Sequence, residues 1–410
     1  MRKRRAKTLT NRKEMEKKMK RRNQMVAFCL SVAMVSGMVF GGNMSMKVSA
    51  AQETETETAL QEQAAATKTI TDAYGEEVEI PAEVKSIVAT MWPIPSVIFT
   101  VTGSGDAIKT MAQGSMEAYN ISMFKVLCPG LEDLPTNCLD SSSNITFEEL
   151  AKVEPDVILC NEAVEQELGE QMRAIGAVPV KMKFGEFTDV QELIRIVGEI
   201  FDCEDRATEL IDFQKEILSY LDEKKADHPA DEEKPTVLYI TRRQDNDQYQ
   251  VVCPKHLGAK LVDIAGGKNV TADLVDEGTT TVVGMEQIMA WNPDVIFLSN
   301  FDDFTPENFY EGNFASEWQS INAVKNNRVY KTPIGLYRWD TQCVEAPLMA
   351  EWTAKVLNPE IYTEFDFKEE LENFYSKYMN YELTDEDLAM ILNTDENVYL
   401  NLDDEIYAKK

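Results

Sequence analysis

An arginine set between two aromatic residues follows one of the predicted buried strands. Arg338 stands between Tyr337 and Trp339, shortly after the apolar run at residues 328–332. Arginine supplies a permanent cation with a rigid fork of donors, and the rings supply flat apolar surface. Together they suit a large anionic chelate. The structural alternative stays open, because Arg338 could instead pair with Asp340 or Glu345.

Other polar and aromatic side chains also follow predicted strands. In α/β proteins ligands meet the loops beyond the carboxyl ends of the strands, and two facing lobes bring such loops into one cleft. The candidates from the first half of the chain are Met91, Trp92, Gln113, Asn161 and Glu162, and those from the second half are Arg242, Arg243, Asn300, Phe301, Tyr337, Arg338 and Trp339. Arg242 or Arg243 could equally pair with Asp245 and Asp247.

Two matching segments indicate that these loops belong to two similar lobes. Residues 147–160 and 285–298 both run from a short amphipathic helix through Pro-Asp into an apolar strand. Glu148 lies seven residues before the proline of the first copy, and Glu286 lies seven before that of the second. One copy would be a common α/β arrangement, but two of equal length favour two lobes of similar build.

Between the two segments, residues 202–225 have the apolar spacing of one helical face and contain no glycine or proline. A helix of that length is a stiff rod of about 33 Å. Asp202 with Asp205 is expected to cap it, and a capping box from Thr188 to Gln191 is expected to start the helix before it.

Predicted strands alternate with helices throughout, which is typical of an α/β protein with mainly parallel sheets in both lobes. The strands are predicted at residues 86–90, 107–112, 155–160, 177–182, 236–241, 295–299 and 328–332. A hairpin that turns at Gly75 precedes them.

The charge of the chain excludes one broad class of partner. From Ala51 onward the chain carries 28 Lys and Arg against 69 Asp and Glu, a net charge of −41. Such a surface repels phosphate backbones and anionic lipid. We therefore expect no nucleic acid among the partners.

The N-terminus has the pattern of an export signal. A Lys/Arg-rich stretch at residues 1–24 precedes an apolar run at 25–42 and a Val-Ser-Ala cleavage pattern that ends at Ala50. An uncleaved membrane anchor is the alternative, although the run is short for a span. Cys29 lies inside the apolar run, so a lipid-anchored N-terminus is not supported. Residues 51–67 are acidic and repetitive, typical of a disordered tether.

Cysteine and histidine offer little chemistry. Six cysteines lie beyond the signal and none forms a C-x-x-C pair, while a disulfide between Cys128 and Cys138 is left open. With only His228 and His256, a histidine-built metal site is not expected, and no intrinsic cofactor is predicted. No nucleophile-elbow, phosphate-loop or zinc-protease motif occurs, so we predict that the protein is not an enzyme.

The order of these weak motifs resembles a known family. TITDAYGEEVEIP leads to SIVAT, a helix-PDVIL unit, the rod, AGGKNV and a second helix-PDVIFL unit. This is similar to the solute-binding proteins of ABC importers that carry iron–siderophore complexes, haem and cobalamin. Residues 335–360 and 374–388 look most like the subgroup that includes molybdate and tungstate binders.

The resemblance implies two Rossmann-like lobes joined by a single long helix, with the ligand cleft between the lobes. It implies a signal peptide at 1–50, a tether at 51–67, an N-terminal lobe at 68–201, a backbone helix at 202–226, a C-terminal lobe at 227–358 and an acidic helical extension at 359–410. It also implies that Glu148 and Glu286 dock into arginine pockets of the membrane permease. The alternative is that both are exposed glutamates at helix starts, where the helix dipole favours them.

For function, the resemblance implies an exported monomer, periplasmic or at the cell surface, that delivers a solute to an ABC permease and its ATPase. Trp92, Phe301, Tyr337 and Trp339 favour a ferric chelate as the ligand. Molybdate or tungstate, a corrinoid and haem stay open, as does a surface sensor or adhesin on the same fold. A rigid helix predicts small lobe movements on binding and release.

Overall fold

A helix of 21 residues, Glu204–Lys224, stands between two sheet-containing lobes in the computed structural model. The structure describes residues 66–139, 144–274, 278–311, 314 and 316–400, all within one compact unit. The predicted signal peptide, nearly all of the predicted tether and the last ten residues of the predicted C-terminal extension lie outside this part of the chain.

Strands and helices are numbered here in chain order. The strands are β1 (Thr67–Thr71), β2 (Glu77–Pro81), β3 (Ile87–Ala89), β4 (Val157–Asn161), β5 (Val178–Met182), β6 (Thr236–Gln244), β7 (Gln248–Val252), β8 (Lys268–Asn269), β9 (Thr280–Gly284), β10 (Val295–Leu298) and β11 (Val329–Lys331). The helices are α1 (Ile94–Thr102), α2 (Gln113–Asn120), α3 (Met123–Leu127), α4 (Phe147–Leu150), α5 (Glu162–Ala174), α6 (Phe187–Ile200), α7 (Glu204–Lys224), α8 (Leu257–Ile264), α9 (Met285–Trp291), α10 (Pro306–Tyr310), α11 (Asn322–Lys325), α12 (Ala346–Leu357), α13 (Phe367–Phe374) and α14 (Asp385–Leu392).

The first lobe contains a parallel sheet in the order β3-β4-β5, preceded by the predicted hairpin of β1 and β2. Gly75 has a φ of +82° in the turn of that hairpin. The prediction of a strand at residues 107–112 is wrong. Only Ile108 bridges to β3, because the chain then turns away and Met111 N–H binds the carbonyl of Pro135.

The sheet of the second lobe is mixed, but of its six strands in the described part of the chain only β7 runs against the others, so the prediction of mainly parallel sheets is confirmed in both lobes. Its order is β11-β10-β6-β7-β9, with β8 also beside β6. β10, β11 and β8 run parallel to their neighbours, whereas β7 is antiparallel to β6 and β9. A tight turn with positive φ at Asn246 and Asp247 folds β6 back into β7.

Helix α7 connects the lobes through contacts on both sides. Its buried side chains recur every three or four residues, and they are Ala207, Leu210, Gln214, Ile217 and Leu221. Arg206 donates to the carbonyl of Thr100 in the first lobe at 3.0 Å, and Gln214 donates to that of Val344 in the second at 2.8 Å. One stiff element therefore touches both halves.

Both predicted capping arrangements differ from the structure. Asp202 has a φ of +53° and pairs with Lys68 at 2.7 Å, so it cannot cap α7. The capping box of α6 is formed by Glu186 and Asp189, two residues before the predicted position. Local charge patterns indicated where these helices begin, but competing partners decide which side chain caps them.

The two helix-Pro-Asp-strand units make the same backbone connection in each lobe. The carboxylate of Asp156 accepts from the N–H of Ser86 at 2.9 Å, and that of Asp294 accepts from the N–H of Thr236 at 3.1 Å. Each aspartate thereby anchors the start of the neighbouring strand. This shared contact gives the sequence repeat a structural cause.

The C-terminal residues pack on the second lobe, where Tyr375 and Ile391 are fully buried. Cys128 and Cys138 are free thiols, so the disulfide left open by the sequence does not form. Across the described part of the chain, no helix combines the length and apolar character needed to cross a membrane.

Candidate functional site

Arg338 lies where the two lobes meet, and it is 2% exposed. Its Nε donates to the carbonyl of Asn300 at 2.8 Å, within the second lobe. Its Nη1 donates to the carbonyl of Gly114 in the first lobe and to the Tyr337 hydroxyl, both at 3.2 Å. Nη2 has no hydrogen-bond partner among the described residues. The guanidinium thus bridges the lobes with one terminal nitrogen left for a ligand.

No described carboxylate lies within ion-pair distance of this buried cation. Asp340 instead accepts a hydrogen bond from Ser299 at 2.6 Å. Glu345 accepts from the N–H of Leu336 and from the Tyr375 hydroxyl. Neither of the two acidic partners offered by the sequence is therefore used, and a buried unpaired charge is costly.

A second unpaired arginine faces the same aromatic ring. The guanidinium carbon of Arg338 is 4.2 Å from the centroid of Phe301, and that of Arg242 is 5.6 Å from it. Arg242 is half-buried and likewise has no described carboxylate within ion-pair distance. Two like charges beside one ring, with no described carboxylate in ion-pair contact with either, form a site suited to an anion.

The first lobe contributes an aromatic wall to this site. The ring centroids of Trp92 and Phe301 are 6.1 Å apart, with an interplanar angle of 49°. Trp92 lies directly against Gly114, where an added Cβ would be 2.4 Å from the indole. Ser115 holds the segment by donating to the Trp92 carbonyl at 2.7 Å. The contact between Trp92 and Phe301 thus depends on a glycine at this position.

The remaining predicted residues lie outside this cluster or support it. Asn300 is buried and donates to the Thr332 carbonyl, while Trp339 is fully enclosed in the core. Asn161 caps helix α5, which Glu162 begins. Gln113 is exposed and binds Glu117, and Arg243 is exposed, pairs with Asp247 at 2.9 Å and faces Phe314 rather than Phe301.

Met91 lines a separate cleft of about 710 Å³ between the lobes. Most of its lining was not predicted, and it comprises Phe184, Gly185, Glu186, Pro254, Lys255, His256, Leu257, Lys260, Thr279 and Gln342. Residues 184–186 follow β5, so the rule of strand-end loops could have found them. The residues from 254 to 260 follow an antiparallel strand, and nothing local marks them.

An ion pair crosses this cleft. Lys260 donates to the carboxylate of Glu186 and, at 2.5 Å, to the carbonyl of Gly185. His256 accepts from the N–H of Gly258 through Nδ1, and burial lowers the pKa of its imidazole. In the described residues no three His, Cys, Asp or Glu side chains cluster as metal ligands.

Glu148 and Glu286 occupy equivalent, exposed positions in the first turns of α4 and α9. Neither forms an ion pair with a described residue, in contrast to Glu149, which pairs with Lys152 at 2.6 Å. The two carboxylates are therefore available to an outside partner.

Comparison with known proteins establishes the family. A profile of the periplasmic binding protein family matches residues 135–334. A periplasmic solute-binding protein from Veillonella parvula DSM 2008 is 34% identical, with a TM-score of 0.74 over 81% of this chain and 98% of that one. The chain belongs to the periplasmic binding protein family.

More distant members of the family include the uncharacterized lipoprotein YvrC of Bacillus subtilis, an ABC transporter substrate-binding protein that is 26% identical over 64% of this chain and 77% of its own. The molybdate-binding protein MolA of Haemophilus influenzae is 22% identical over 62% of this chain and 74% of its own. The family assignment makes this chain an ABC transporter solute-binding protein, and the relatives named here are binding proteins rather than enzymes. Family members work with permease and ATPase components.

Proposed function

We propose that this protein is exported and binds an anionic metal complex of the ferric chelate type between its lobes, for delivery to an ABC permease. The observation that carries the proposal is the buried, unpaired guanidinium of Arg338 at the contact between the lobes. An anionic ligand would compensate this charge and that of Arg242. Without such a ligand, the desolvation of the buried Arg338 guanidinium costs several kcal/mol.

The space between the lobes favours a chelate over a bare ion. The cleft beside Met91 has a volume of about 710 Å³, and ligand sites of 300–1,000 Å³ suit molecules of chelate size. Met91 precedes Trp92, so one loop serves both the cleft and the arginine cluster. A chelate could place its anionic groups at Arg338 and its apolar body in the cleft.

A compact oxyanion such as molybdate is the second candidate. Tyr337 and Trp339 are buried, so only Trp92 and Phe301 of the four predicted aromatic residues are half-exposed at the site. This reduced aromatic surface, together with the similarity to a molybdate-binding relative, supports a small anion as the alternative to the chelate.

Binding assays on the purified chain distinguish these ligands. Calorimetric titration would compare a ferric tricatecholate, a ferric hydroxamate, molybdate, tungstate, haem and cobalamin. We expect the ferric chelates to bind and Arg242→Ala to weaken binding by about 1.5–3 kcal/mol, roughly 10- to 150-fold. The matched control is Arg243→Ala, because Arg243 is exposed and already paired. If molybdate is the one solute of the panel that binds, the oxyanion replaces the ferric chelate as the proposed ligand.

Glu148 and Glu286 are the permease contacts in this proposal. Their exposure and their equivalent placement on the two lobes support docking to paired arginine pockets. A sensor or adhesin on the same fold would not take part in uptake and would not need Glu148 and Glu286 to dock to a permease. Normal uptake after charge reversal at both positions would exclude docking through these residues. If no solute in the panel binds, the sensor or adhesin is favoured over the importer.

A further inference from the structure

The loop that carries Arg338, residues 332–345 (the arginine loop), rests on residues 360–400 (the C-terminal segment). The N–H of Ile334 binds the carbonyl of Ile391 at 2.8 Å. Asn393 donates to the carbonyl of Thr332 at 2.7 Å. Both hydrogen bonds involve backbone groups of the arginine loop, the N–H of Ile334 and the carbonyl of Thr332. The C-terminal segment therefore constrains the backbone path of the loop.

Glu345 completes this support from inside the arginine loop. Its side chain is fully buried, and its Oε2 accepts from the N–H of Leu336 at 2.6 Å. Its Oε1 accepts from the hydroxyl of Tyr375, in the C-terminal segment, at 2.8 Å. An added Cβ on Gly335 would lie 2.0 Å from that same Oε1. The carboxyl is therefore wedged between the loop backbone and the C-terminal segment.

Hydrogen bonds, and not an ion pair, hold this carboxyl. The titratable groups around it are Tyr375 and Cys343, with Asp387 acting on Tyr375 from α14. No described Lys or Arg lies within ion-pair distance, and burial raises the pKa of Glu345 to about 7. Directional bonds to Leu336 and Tyr375 fix the geometry more tightly than a screened surface charge pair would.

We propose that Glu345 and Tyr375 are positioning residues, which hold the arginine loop so that the guanidinium of Arg338 meets the ligand between the lobes. This inference rests on the proposed function only in assuming that Arg338 contacts the ligand. It assigns a role to the C-terminal segment as the support of the binding loop.

Replacing the tyrosine hydroxyl tests the inference with a close control. Tyr375→Phe removes the bond to Glu345, whereas Tyr381→Phe removes a bond of 3.1 Å to Asp387 that stays within the C-terminal segment. We expect Tyr375→Phe to weaken binding of the ferric chelate or molybdate probe at least fivefold, measured well below the melting temperature of each variant. Tyr381→Phe should bind like the wild type.

A spectroscopic readout separates positioning from general stability. In protein labelled with 5-fluorotryptophan, the fluorine resonance of Trp339 reports on the arginine loop, and that of Trp318 reports on the opposite core of the second lobe. Tyr375→Phe should shift or broaden the Trp339 resonance and leave that of Trp318 unchanged. Glu345→Gln, which retains one acceptor oxygen, should keep more affinity than Glu345→Ala.

Unchanged affinity and an unchanged Trp339 resonance in Tyr375→Phe would overturn the inference, as would an equal loss in Tyr381→Phe. If no probe binds the wild-type protein, the proposed function fails. The Trp339 resonance still decides whether Tyr375 positions the loop, so the two failures are distinguishable.

Discussion

The glycine behind Trp92 offers a sharp test of how the site is built. In Gly114→Ala the new methyl would lie 2.4, 2.5 and 2.7 Å from three atoms of the Trp92 ring. Replacing glycine by alanine in a helix normally stabilises it by about 1 kcal/mol, whereas forcing a methyl into packed surroundings costs about 1–3 kcal/mol. The clash is the larger effect. We expect a net loss of about 1 kcal/mol and displacement of Trp92 from Phe301.

Urea denaturation and ligand titration measure the two consequences separately. Because Trp92 is half-buried, it can move aside and recover part of the stability, but the contact with the ligand that we propose for it would then be lost. The loss of binding free energy should therefore be larger than the loss of unfolding free energy. Gly284→Ala is the control, because an added Cβ there meets nothing within 4 Å and φ is −97°. Wild-type stability and affinity in Gly114→Ala would refute the proposed packing.

Three further predictions concern stability and docking. The pKa of Glu345 is about 7 in the folded chain against 4.5 in the unfolded one, so the folded state holds its proton more tightly. The free energy of unfolding should thus fall by about 3 kcal/mol as pH rises from about 4.5 to 7. Glu345→Gln should remove that part of the decline. A variant with the same pH profile as the wild type would contradict this. Gln214→Met should cost about 1 kcal/mol, measured by denaturation, because the Val344 carbonyl loses its donor from α7; no change would mean that this link is dispensable. Glu148→Arg with Glu286→Arg should abolish solute uptake in cells while solute binding stays intact, with Glu149→Arg as the surface control; normal uptake would exclude docking through these residues.

The elements set by local chemistry were predictable from the sequence. The turn at Gly75 and the end of α1 at Gly103 both use a positive φ that glycine adopts freely. The long helix between the lobes followed from its apolar spacing. By contrast, the prediction of a strand at residues 107–112 failed because the N–H of Met111 binds the carbonyl of Pro135, a distant partner that no local pattern reveals.

The candidate site was only partly predictable for the same reason. The position of Arg338 after a strand was readable, since that rule depends on local topology. The burial of Trp339 was not, because it depends on packing in a core whose residues are far apart in the sequence. The cleft residues from 254 to 260 could be identified only from the structure, in which the second lobe faces the first.

The most direct test of the account is the structure of the protein with the solute that it retains when purified from its native host. The account predicts an anionic ligand between the lobes, with an oxygen within hydrogen-bond distance of Arg338 Nη2 and of the Arg242 guanidinium. A neutral ligand, or an anion bound elsewhere with both arginines still unpaired, would contradict it.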